Sequence, residues 1–152
     1  MPRLAAFGLA VDLPAGWEGR ARRRTPEPGA TALPILHAAS FPLPAERGDY
    51  GGGAVELMSA DDVFVTLFEH DPAAAGSPLF ARPGRPLRLP PEDFQPNALQ
   101  RVLPGQSGLQ SFFTEDGRAF CLYVVLGSHV RRFVLAPRAE AIVRSLAIGA
   151  GS

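Results

Sequence analysis

The nine residues Arg118 to Leu126 (RAFCLYVVL) constrain this chain most. Side chains alternate across a strand, so Ala119, Cys121, Tyr123 and Val125 share one face and Phe120, Leu122, Val124 and Leu126 the other. Both faces are apolar, and a strand of that kind needs cover on each side, which predicts a central place in a sheet. Just before it stands Glu115-Asp116-Gly117. Asp-Gly accepts the positive φ of a tight hairpin turn, so Gly108 to Thr114 is predicted to fold back as its partner.

Other segments supply the rest of a sheet. Val63 to Phe68 is nearly unbroken apolar sequence and reads as a strand covered on both faces. Leu33 to Ala39 reads as an inner strand and Glu18 to Arg24 as an edge strand, whose row of Arg discourages foreign pairing. Phe7 to Leu13 is predicted as a strand ended by Pro14-Ala15-Gly16-Trp17, and Val130 to Leu135 as a last strand leading to Pro137. From Pro137 the period becomes helical: Ala139, Ile142, Val143 and Leu146 form a stripe, with Glu140 and Arg144 paired four residues apart on the outside.

Between these elements lie turns and loops. Thr25 to Gly29 is a Pro-rich turn, Phe41 to Gly53 a Pro- and Gly-rich surface stretch, and Asn97 to Leu103 a predicted short helix capped by Asn97. From Asp71 to Pro96 there are seven prolines and no period, hence one long loop. Loops of that length in compact domains carry a function or are disordered.

Composition narrows the function classes. A chain of 152 residues, 46% apolar and 20% charged, fits one globular domain. Fifteen positive residues, all Arg, balance 15 negative ones, so no net field draws the chain to nucleic acid or an anionic membrane. No uncharged apolar run nears the ~18 residues of a membrane span, Asp12 breaks the opening apolar stretch, and the single Cys121 can form no internal disulfide. The expectation is a cytoplasmic protein with no membrane insertion.

The opening strand running into DLPAGW, the late pair of long strands and the closing AEAIVRSLAI together resemble the PsbP/Mog-like superfamily. The resemblance touches both ends of the chain. It implies an α+β fold, an α/β/α sandwich with a central, mostly antiparallel sheet and a C-terminal amphipathic helix. The superfamily includes an extrinsic photosystem subunit, a Ran-binding nuclear transport factor and many bacterial proteins. What it implies about function is binding to proteins rather than a common catalytic centre.

The residues themselves offer little catalytic chemistry. Cys121 sits between Phe120 and Leu122 on an apolar strand, where a thiol behaves as a small hydrophobe. His37, His70 and His129 are too scattered for a zinc motif, and read as one core histidine and two surface ones. Ser128 and His129 point to opposite faces if extended and lack a nucleophile elbow. Gly51-Gly52-Gly53 lacks the Lys-Ser/Thr of a phosphate loop, and Asp61-Asp62 lacks further calcium ligands. No catalytic, metal or cofactor site is therefore assigned.

Two Arg groups remain: Arg20, Arg22, Arg23 and Arg24, and Arg82, Arg85 and Arg88 in the long loop. Arg forks suit carboxylates and phosphates. With Phe80 and Phe94 as exposed aromatic anchors, Arg82, Arg85 and Arg88 are the predicted partner-binding residues of a noncatalytic protein-binding or assembly module, open to self-association. The alternative is a small-ligand-binding domain, or an enzyme whose site is assembled from distant residues.

Overall fold

A computed structural model describes residues 2–24 and 28–149. The fold is α+β and mostly sheet. Strands β1 (Arg3–Ala6), β2 (Leu9–Asp12) and β8 (Ala147–Ile148) form a small antiparallel sheet with β2 in the middle. The larger antiparallel sheet contains β3 (Glu18–Arg24), β4 (Leu33–Ala39), β5 (Val63–Glu69), β6 (Ser107–Glu115) and β7 (Arg118–Leu126), in the order β3-β4-β5-β7-β6.

The predicted Asp-Gly hairpin is present. Asp116 (φ 54°) and Gly117 (φ 71°) turn β6 into β7, and the register runs one-to-one from Glu115 opposite Arg118 to Ser107 opposite Leu126. β7 is buried throughout and lies between β5 and β6, as its two apolar faces require. β3, β4 and β5 also stand where the sequence places them, with β3 at the edge.

One face of the large sheet packs under helix α1 (Arg132–Ser145). Leu36, Val65, Leu67, Leu122 and Val124 meet Leu135, Ala139, Ile142 and Val143 in a single apolar cluster that also holds Leu9 and Val11 of β2. On the opposite face, Ala39, Phe64, Tyr123 and Val125 lie under Phe41, Leu43, Ala54 and Val55. Where the resemblance implies a second helical layer, this cover is irregular chain with one 3-10 turn, Val55–Leu57. α1 is the α-helix found among the described residues, and none there is long and apolar enough to cross a membrane.

Four local readings are corrected. Phe7 to Leu13 is not one strand, because Phe7 (φ 56°) and Gly8 (φ 76°) make a tight turn between β1 and β2. Val130 to Leu135 is not a strand: Ser128 Oγ accepts the Arg131 N–H (3.2 Å), and the chain enters α1 at Arg132. Leu135 and Ala136 thereby extend the buried stripe of Ala139, Ile142 and Val143 at helical spacing, and this burial overrides their β-like local sequence. Pro137 consequently lies inside the helix rather than at its start, and removes the bond to the carbonyl of exposed Phe133. Asn97 to Leu103 forms no helix beyond the 3-10 turn Pro96–Ala98. Part of the Thr25 to Gly29 turn, residues 25–27, lies outside the described residues.

The outer side of α1 is mixed. Phe133 and Val134 are exposed beside Arg138 and Arg144, while Glu140 and Arg144 form the expected pair at 3.6 Å.

Candidate partner-binding groove

The long loop is ordered by its prolines. The 3-10 turns Pro72–Ala74, Pro78–Phe80, Pro91–Asp93 and Pro96–Ala98 all begin with Pro, whose preset φ suits a first helical position and whose missing N–H has no partner to lose there. Apolar side chains then pin the loop down. Phe80, Leu89 and Phe94 are 4%, 2% and 0% exposed, each contributing about 1.5–3 kcal/mol of burial. Phe80 and Phe94, expected as exposed anchors for a partner, are thus anchors for the loop itself.

Polar bonds complete the attachment. Arg85 pairs with Glu115 (2.5 Å) and donates to the Val143 carbonyl (3.2 Å), while Leu89 N–H donates to Glu140 (2.9 Å). The loop also touches the edge of β6 at two points. Thr114 N–H donates to the Arg82 carbonyl (2.9 Å) and Gly84 N–H to the Thr114 carbonyl (2.7 Å). Gln95 and Gly108 exchange both of their backbone bonds, each at 3.0 Å.

Between those two points the loop stands away from β6 and leaves an open groove of about 770 Å³. Arg82 and Arg88 line it, together with Asp93, Leu109, Gln110 and Ser111. Both arginines are exposed, and neither side chain has an ion-pair or hydrogen-bond partner among the described residues. Of the three loop arginines, two therefore face the groove and Arg85 is committed to the fold.

The other Arg group is largely absorbed internally. Arg22 and Arg24 pair with Asp49 (3.2 and 2.8 Å), Arg20 pairs with Glu18 (3.5 Å), and Arg23 lies over the Phe7 ring (4.7 Å). Asp49 and Arg47 also clamp His37. Arg47 Nε donates to His37 Nδ1 (3.0 Å), so the ring proton sits on Nε2 and is donated to the Asp49 carbonyl (3.0 Å). Burial lowers the His37 pKa to about 4 despite the Asp49 bond, and Arg47 and Arg22 push it in the same downward direction. The cluster holds the Arg47–Tyr50 stretch against the sheet, the role expected of a satisfied core histidine.

His70 is half-buried rather than freely exposed. Its ring packs among Phe68 (5.2 Å), Phe80 (5.1 Å) and Phe112 (6.1 Å), and burial lowers its pKa. Cys121 is fully buried, accepts from Gln110 Nε2 (3.4 Å), and burial raises its pKa to about 11, which keeps it a thiol. Ser128 is engaged in the turn before α1. No group of three or more His, Cys, Asp or Glu residues able to hold a metal occurs among the described residues.

Asp93, Gln110 and Ser111 escaped the reading of the sequence. Gln110 and Ser111 sit on a strand whose alternation is polar at its middle, a visible sign of an edge, but nothing local ties them to Arg82 or Arg88. No protein family, curated protein or solved structure matches the chain.

Proposed function

We propose that the protein is a noncatalytic protein-binding module whose docking surface is the groove between the Pro/Arg loop and β6. The observation that carries this reading is the pair Arg82 and Arg88, which line an open groove without side-chain partners among the described residues. An Arg side chain left unpaired beside a concave surface is available to a carboxylate of another molecule. The loop's attachment through Phe80, Leu89, Phe94 and Arg85 supports the reading too, because a preformed groove loses little ordering entropy on binding. A PsbP/Mog-like sandwich with one irregular outer layer is the architecture we infer for it, by resemblance of the two ends of the chain.

Affinity capture from the native host tests the role. A variant carrying Arg82→Ala and Arg88→Ala, with Arg85 left intact to keep the loop attached, should lose partners that the unaltered protein retains, and the retained ones should be released by salt. An identical partner list for both proteins would remove the groove from consideration.

A further inference from the structure

The β6 edge has a gap in its cover. In an antiparallel pair, alternate residues direct both backbone groups toward the neighbouring strand and the others direct both away. Gly108 and Thr114 point away from β7, since their N–H and C=O groups bond to Gln95 and to Arg82 and Gly84. The register is unbroken from Ser107 to Glu115, so Gln110 and Phe112 have the same outward phase. Their four backbone groups have no hydrogen-bond partner among the described residues. Gln110 lines the groove, and Phe112 lies between it and the clamp at Thr114.

Covering a sheet edge with loop prevents uncontrolled strand pairing. Here the cover is applied at both ends and omitted between them. From Gly108 to Thr114 the strand spans about 20 Å, which bounds a guest segment to about five extended residues. A longer flat strand would collide with Pro83 at one end or Gln95 at the other, where the bridges already sit.

We propose that the groove takes an extended, acidic segment of a partner protein as a short added strand, paired through the main chain of Gln110 and Phe112. Arg82 and Arg88 select acidic side chains on the guest, and Asp93 disfavours an acid at the position next to it. Main-chain bonds of this kind supply affinity while the lining side chains supply choice. The proposal rests on the groove being the docking surface, and adds how the partner is read.

The test uses the whole protein, isotopically labelled, and a capped peptide of about five residues of alternating Val and Asp, the length that fits between the two bridges. Titration should shift the Gln110 and Phe112 amides saturably and slow their hydrogen exchange. Replacing Asp by Asn in the peptide, or Arg82 and Arg88 by Ala in the protein, should weaken binding about tenfold, the loss expected from two exposed ion pairs. Two further peptides carry N-methyl groups on alternate amides, one in each phase. Only one phase faces β6, so one should bind about tenfold more weakly and the other should match the parent. If both bind like the parent, strand pairing is overturned and the charged groove survives. If no peptide binds and the Arg variant has unchanged partners, the groove falls as well. A concentration-dependent dimer in which Gln110 and Phe112 are already protected would overturn the proposal in favour of a second copy at the same edge.

Discussion

Arg118 and Glu69 hold each other in a buried two-pronged ion pair, Nη2 to Oε1 at 2.8 Å and Nε to Oε2 at 3.1 Å, with each side chain 7% exposed. Arg118 also donates to the carbonyls of Gly149 (2.9 Å) and Phe7 (3.3 Å), so one guanidinium joins the small sheet to the large one. Removing one partner leaves an uncompensated buried charge, so Glu69→Gln or Arg118→Met should each cost about 3–5 kcal/mol. The double variant Glu69→Gln with Arg118→Met should be less damaged than the sum of the singles. Urea unfolding of the four proteins measures both statements.

His37 predicts an acid-sensitive fold. It is neutral when folded, with a pKa of about 4, and returns to about 6.5 when the chain unfolds. A depressed folded pKa means that the unfolded chain binds more protons between those values. The contribution is therefore complete above pH 6.5 and is lost as pH falls toward 4. Between pH 7 and 5 this group alone should remove about 2 kcal/mol of stability. His70 acts in the same direction, so the comparison that isolates His37 is with His37→Gln, whose stability should fall less steeply over that interval. Parallel slopes would sink the assignment.

Gly51 and Gly117 separate two costs of a side chain. Both have positive φ, 86° and 71°. A Cβ on Gly117 meets nothing within 4 Å, whereas one on Gly51 would lie 2.5 Å from Phe64 Cε2. Gly117→Ala should cost only the backbone strain, about 1 kcal/mol. Gly51→Ala should cost about 1–3 kcal/mol more, because the Phe64 ring is fully buried and must move. Thermal melts of the two variants give the difference.

Cys121 should be silent toward thiol reagents in the native protein. It is fully buried and its pKa is about 11. Labelling by a chromogenic disulfide should be about a thousandfold or more slower than in denaturant, and should follow global unfolding. Fast native labelling would show that the cover formed by Tyr50 and Phe112 opens locally.

What the sequence made legible was the pattern that local rules encode. The apolar faces of β7 and the Asp116-Gly117 turn declared a central hairpin, and Ala139, Ile142 and Val143 declared the helix face. Phe7-Gly8 makes an equally tight turn without the Asn or Asp that advertises one, so a hairpin read as a strand. In the long loop, proline announced turns but could not say which aromatic residues turn inward, because a loop has no period. Arg82, Arg85 and Arg88 look alike in sequence. Only the approach of Glu115 and Val143 in space separates the one that braces the fold from the two that line the groove.

The helix that covers one face of the large sheet is also made late. When β7 ends at Leu126, all five strands of that sheet have been synthesised, yet Leu36, Val65, Leu67, Leu122 and Val124 still await α1. β2 in turn awaits β8, its partner from the far end of the chain. Without α1 those side chains leave an apolar sheet face without its lid, the kind of surface that chaperones hold and that aggregation exploits. A chain stopped before residue 132 should therefore aggregate rather than fold as a smaller version of the protein.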